Sequence, residues 1–164
     1  MRKLLTLIFL NVLATAPMAE EMTLQYCKNA MNKSSPIWHK VPLNKELLNI
    51  KKNYKYDPTV AFGDFDNDNK NDIALLVEQS RPKKKIRAIA VCLSSEKSKT
   101  PQLITNLYVD EQINTTPKGT KHYNIETGKK DTYNIDGISV TCCECCGATY
   151  IYGDGKFKQV VDGD

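Results

Sequence analysis

The sequence predicts an α+β fold that is mainly antiparallel β, a hairpin-rich sheet with one or two short N-terminal helices. Three observations point there. Two largely apolar runs, Ile73–Val77 and Ile86–Leu93, flank a polar, basic stretch and read as paired, buried strands. The closing segment Tyr152-Gly-Asp-Gly-Lys156 places an Asp-Gly turn between strand-like residues. Helical spacing of apolar residues is confined to the part of the chain before residue 55.

The chain opens Met-Arg-Lys, continues from Leu4 to Val12 almost without a polar side chain, and then turns to the small residues Ala14, Thr15, Ala16 and Ala19. A basic start, a short apolar stretch and a small-residue exit describe a secretory signal peptide over residues 1–19, too short to span a bilayer. The expected location is periplasmic or secreted, with no membrane span after the leader is removed. Residues 20–164, about 145 in number, make one domain with a single core. Without Arg2 and Lys3 the formal charge falls from +4 to +2, a near balance that argues against a nucleic-acid partner.

Taken in order, Thr23 to Met31 reads as a short helix, with Leu24, Cys27 and Met31 on one face. Lys45 to Lys51 reads as a second, capped by Asn44, with Leu47, Leu48 and Ile50 as its apolar side and Lys51 and Lys52 suiting its C-terminal end. Trp38, the only tryptophan, is a packing anchor between them. Thr59–Phe62 begins the strands, and Ile73–Val77 with Ile86–Leu93 forms an antiparallel hairpin. The tip of that hairpin, Lys83-Lys84-Lys85 with Arg81 and Arg87, reads as solvated. Leu103–Val109 is a further strand, Asn114–Lys130 a polar surface excursion, and Phe157–Val161 the strand returning after the Asp-Gly turn.

Six cysteines in an exported chain favour disulfides: Cys27, Cys92, Cys142, Cys143, Cys145 and Cys146. Two cysteines outside the cluster can engage at most two of its four members. If all six are oxidised within one molecule, at least one bridge closes inside 142–146. A straight strand cannot hold such a bridge, so the chain is expected to bulge or turn around Glu144. A soft-metal site in the cluster is the alternative.

The densest chemistry lies in Gly63-Asp-Phe-Asp-Asn-Asp-Asn-Lys-Asn-Asp72. Asp64, Asp66, Asp68 and Asp72 stand at loop positions 1, 3, 5 and 9, where oxygen ligands surround a hard cation, and Lys70 at position 7 offers its backbone carbonyl. Carboxylates this close repel one another unless a cation or protons intervene, so the pattern calls for Ca2+. The loop is not an EF-hand: strands flank it and Leu75 replaces the bidentate Glu of position 12. Asn69 replaces the Gly of position 6, and Asn is the best non-Gly residue for a left-handed backbone.

Phe62 to Ala74 resembles the FG-GAP and VCBS-type repeats of extracellular proteins, matching their strand, Asp-rich loop and strand almost position for position, and the resemblance as a whole covers about 15–25 residues around it. The resemblance implies calcium at Asp64, Asp66, Asp68 and Asp72, with Lys70 through its carbonyl. More loosely, the chain looks like small exported bacterial proteins that carry one such loop. A single copy without internal repeats implies no propeller.

For function, His39 and His122 sit in polar sequence without a nucleophile or ligand partner at useful spacing, and Ser94-Ser95 lacks a nucleophile-elbow pattern. The expectation is a non-enzymatic, calcium-binding exported domain acting through a protein or cell-envelope partner, in an inhibitor, immunity or envelope-associated role. The alternative is a metal-dependent secreted enzyme that uses the acidic loop.

Overall fold

The computed structural model describes residues 16–81, 84–96, 100–107, 112–125, 127–141 and 147–163. Residues 1–15 of the signal peptide expected over 1–19, Lys83 of the basic tip and the cysteines at 142, 143, 145 and 146 lie outside the described residues, and the last four residues of that expected peptide fall in the first helix. The architecture is α+β, mostly antiparallel strands in hairpin-rich sheets with two short helices.

Helix α1 spans Ala16–Ser34 and is followed by the two-residue strand β1, His39–Lys40. Helix α2 spans Lys45–Tyr54. As its sequence predicts, the Asn44 side chain accepts the Leu47 N–H at 2.9 Å, satisfying one of the amides a helix N-terminus leaves without an intrahelical partner. At the other end Lys55 takes a left-handed backbone, φ 59°, and returns its N–H to the Lys51 carbonyl. Leu47 is buried, but Leu48 is half exposed, so the apolar side of this helix is narrower than its three aliphatics suggested.

The first sheet is organised around β3, Asp72–Arg81, which pairs from Ile73 to its end with β4, Lys84–Cys92. The short strand β2, Val60–Gly63, pairs with the first part of β3, and β1 pairs with Val77 and Glu78 further along. Strand β5, Gln102–Leu107, lies on the far side of β4. Successive side chains of a strand face opposite ways, and here both faces are covered. Ile73, Leu75, Val77, Ala88, Ala90 and Cys92 pack with Cys27, Met31 and Trp38 beneath α1. Ala74, Leu76, Ile89 and Val91 pack with Val41 and Leu47 and with Ile113, Ile138 and Val140 of the second sheet. That double burial is why β3 and β4 read as continuous apolar runs rather than alternating ones. Trp38 fills the anchoring role expected of it.

The second sheet has the order β6-β9-β10-β11-β7-β8, from β6 (Gln112–Thr116), β7 (Lys121–Asn124), β8 (Lys129–Thr132), β9 (Gly137–Thr141), β10 (Ala148–Gly153) and β11 (Lys156–Gly163). Asp154 (φ 55°) and Gly155 (φ 77°) join β10 to β11, the left-handed pair that a two-residue hairpin turn requires. Two hydrogen bonds stitch this sheet to the β2 region: Ile113 N–H to the Pro58 carbonyl at 2.9 Å and Thr115 Oγ1 to the Phe62 carbonyl at 2.6 Å.

Two readings need correction. The polar stretch 114–130 contains the end of β6, all of β7 and the start of β8. Pairing of β6 with β9 overrides its weak local signal, and β8 is exposed throughout, a Lys-bearing edge strand of the kind that discourages further pairing. Arg87 is not solvated. It is buried on β4 opposite Glu78, with Nε 3.8 Å from Oε2, because its strand position points it inward.

Cys27 and Cys92 are bonded to each other, with α-carbons 5.7 Å apart, fastening α1 to the end of β4 across 65 residues of sequence. The two cysteines outside the cluster therefore satisfy one another. Replacing both by Ala removes a long covalent loop and is expected to lower the unfolding free energy by about 2–4 kcal/mol. Urea denaturation of the variant beside the oxidised parent checks this, and a loss well under about 1 kcal/mol would mean that the bridge adds little.

Candidate metal centre

The acidic loop runs from Gly63 at the end of β2 to Asp72 at the start of β3, and these two residues face each other in the strand register. Asp72 has no solvent exposure. Its Oδ2 accepts the Phe65 N–H at 2.8 Å and its Oδ1 accepts the Ser94 N–H at 2.6 Å. A single carboxylate thus joins the entry of the loop to the 3-10 turn Ser94–Glu96 that follows β4. Burial pushes the Asp72 carboxyl up to about 6, and the nearby Asp66 charge adds to this, while the Ser94 and Phe65 hydrogen bonds pull the other way.

Asp64 organises the turn itself. Its Oδ1 accepts the Asp68 N–H at 2.8 Å and its Oδ2 the Asn69 N–H at 2.9 Å. Asn67 and Asn69 take left-handed backbone, φ 61° and 62°, so the expectation for Asn69 holds and Asn67 shares the task. Asp66 accepts the Asp68 N–H at 3.2 Å on one oxygen and the Ser95 hydroxyl on the other. Asp68 faces Lys70: its Oδ1 accepts the Lys70 N–H at 2.9 Å, the Lys70 ammonium lies 3.5 Å from Oδ2, and the Ser94 hydroxyl is 3.3 Å away.

Of the five residues singled out by spacing, the structure brings three carboxylates together. One oxygen each from Asp64, Asp66 and Asp72 lies within 4.8 Å of the other two. Ligands on a calcium shell of about 2.4 Å radius can be no further apart than about 4.8 Å, its diameter. The donor set fits a hard divalent cation, since all three donors are carboxylate oxygens. Asp68 stands outside this grouping, and Lys70 enters the loop's hydrogen bonding through its N–H and ammonium. Two ionised carboxylates about 4.8 Å apart repel by roughly 3–4 kcal/mol at an effective dielectric of 20, and by about 1 kcal/mol in water. A cation among them reverses that sign.

Four contributors to the site carry no signature in the acidic motif. Asp136, just before β9, accepts the Asp64 N–H on Oδ2 at 3.0 Å and the Lys118 N–H on Oδ1 at 2.8 Å. Lys118 in turn donates from Nζ to Asn67 Oδ1 at 3.2 Å. Ser94 and Ser95 supply the donors already described. The signal for the serines was available: pairing Ile73 with Cys92 sets the next residues of the chain beside Asp72. Asp136 had only its Asp-Gly pair, which reads as a turn. Gly63 explains itself through Asp136, because a β-carbon there would stand 2.8 Å from the Phe65 ring and 3.0 Å from Asp136 Oδ2. The two histidines lie elsewhere in the fold: His39 is exposed on β1, and His122 stacks flat on Tyr133 with ring centroids 3.9 Å apart.

Comparison with known proteins gives no matching family model, no matching curated protein and no matching solved structure.

Two outcomes follow. Asp136→Ala leaves the Asp64 and Lys118 amides without their acceptor and is expected to cost about 1–3 kcal/mol in urea denaturation, whereas a neutral result would mean water replaces the carboxylate. The second concerns pH in the cation-free protein. The folded Asp72 carboxyl, at about 6, holds its proton more tightly than the ordinary value of 3.8 in the unfolded chain. Between these values the folded state binds more protons, so this group's contribution makes stability rise as pH falls from 7 toward 4, by up to roughly 3 kcal/mol. A bound divalent cation favours the ionised form and flattens that slope. Melting curves across this range, with chelator and with the cation, read both effects; identical slopes would contradict the assignment of Asp72.

Proposed function

We propose that this chain is an exported calcium-binding domain whose ion fixes the Gly63–Asp72 loop, and that the fixed surface acts by contact with a protein or cell-envelope partner rather than by catalysis. The observation that carries the calcium reading is the convergence of Asp64, Asp66 and Asp72, one of them fully buried, at a spacing that suits oxygen ligands of a hard cation. The Lys70 carbonyl and the Asp68 carboxylate complete the ligand set when the ion draws the loop together. In this reading the loop is a single FG-GAP-like, VCBS-like unit.

Export is supported by the apolar N-terminal stretch and by the Cys27–Cys92 disulfide. A contact role is supported by how the polar side chains around the loop are used. Ser94 and Ser95 donate to Asp68 and Asp66, and Asp72 and Asp136 hold main-chain amides, so these groups serve to shape the loop.

Isothermal titration of the processed, oxidised protein with CaCl2 tests the ion. The expected dissociation constant lies at about 10⁻⁴–10⁻³ M, as in other extracellular modules, and several millimolar calcium should add about 1–2 kcal/mol of stability. Asp66→Asn keeps the shape and removes one charge, and should weaken binding by about tenfold or more. No heat at several millimolar calcium, with an unmoved melting temperature, would refute the calcium reading. Affinity capture with calcium present then tests the contact role: partner recovery that chelator abolishes supports it, and a chelator-sensitive hydrolytic activity in the folded protein would replace it with an enzyme.

A further inference from the structure

The disulfide and the acidic loop meet at one end of the central hairpin. Cys92 is the last residue of β4 and pairs with Ile73, the residue next to Asp72. Two residues beyond Cys92, Ser94 donates its N–H to Asp72 at 2.6 Å and its hydroxyl reaches Asp68 at 3.3 Å. Ser95 then donates to Asp66. On the other side of the bridge, Cys27 is fully buried in α1, in the same core cluster as Ile73 and Leu75. Strand ends are where pairing frays most readily, and the covalent tie to α1 holds β4 at its final rung. Every donor that the segment after β4 lends to the loop therefore sits within three residues of the bridge.

We propose that the Cys27–Cys92 disulfide and the Gly63–Asp72 loop form one coupled unit, so that breaking the bridge loosens the loop and weakens its hold on a divalent cation. The affinity part rests on the calcium reading above; the loop-order part does not. Reduction by a dithiol is the chemical step: the reductant passes two electrons and two protons to the two sulfurs, leaving thiols at Cys27 and Cys92, and itself closes to a disulfide. Coupling is reciprocal. If the bridge strengthens calcium binding tenfold, saturating calcium lowers the reduction potential of the Cys27–Cys92 couple by about 30 mV.

The test compares amide exchange in the parent and in Cys27→Ala/Cys92→Ala, with Met31→Ala as a control that weakens α1 packing but keeps the bridge. Exchange is read at Phe65, Asp68, Asn69 and Ser94 relative to Tyr150 and Ile151 of β10, first in chelator. The double variant should raise this ratio about tenfold, and Met31→Ala should leave it near the parent value. If the Ala pair does not fold, Cys27→Ala/Cys92→Val refills the space and serves in its place. An unchanged ratio in the double variant, or an equal rise in Met31→Ala, overturns the proposal. Calcium titration follows, with affinity expected to be about tenfold weaker without the bridge; equal affinity in the two proteins also overturns it. Faster loop exchange together with no calcium uptake by the parent would remove the calcium reading and leave the coupling between bridge and loop standing.

Discussion

A carboxylate without solvent contact at the join of loop and sheet is the constraint on which the rest of the site depends. An ionised group in such a place is costly unless hydrogen bonds compensate it, and Asp72 is compensated by two main-chain amides from different parts of the chain, Phe65 and Ser94. Meeting that requirement sets the geometry around it. The loop must fold back over Asp72 to deliver Phe65, whose side chain becomes fully buried, and the chain leaving β4 must turn at Ser94. Strand register therefore matters chemically as well as structurally. A slip of one residue between β3 and β4 would send each side chain to the opposite face and carry Ser94 away from Asp72.

The acidic loop also sits where the two sheets adjoin, which gives the second sheet a part in the site. Thr115 and Ile113 hold β6 against the β2 region, and Asp136 bridges the Asp64 amide to Lys118. The first sheet supplies Asp72 and the turn at Ser94, and the second supplies the brace beneath Asp64. Between the sheets Ala74, Leu76, Ile89 and Val91 pack against Ile113, Ile138 and Val140. Burial of that shared apolar surface, rather than contacts made by the loop, brings Asp136 to Gly63.

Much of this was legible in the sequence because it is local. The β3–β4 hairpin, the Asn44 cap, the left-handed Asn69, the final Asp-Gly turn and the acidic loop each follow from patterns within about twenty residues of sequence. What the sequence concealed is long-range. Strands β6, β7 and β8 lack strong apolar alternation: β6 and β7 are held by the distant strands β9 and β11, and β8 pairs with β7 alone. Arg87 looked like part of a basic surface until the register of β4 turned it toward Glu78. The candidate site shows the same division: Asp64, Asp66 and Asp72 come from one motif, whereas Asp136 lies 72 residues from the amide it holds. The mutual pairing of Cys27 and Cys92 was one of several arrangements that counting allowed, and only the approach of α1 to β4 selects it.

Asp64, Asp66 and Asp72 are proposed to be gathered around a divalent ion. Two-dimensional ¹H–¹⁵N NMR of the oxidised protein, recorded as calcium is raised into the millimolar range, addresses it residue by residue. Ion binding there predicts saturable shifts concentrated at the amides of Phe65, Asp68, Asn69, Lys70 and Ser94, with the β10–β11 hairpin unmoved. Spectra that do not change, or small unsaturable shifts spread over exposed acidic residues such as Asp131 and Asp154, would contradict it.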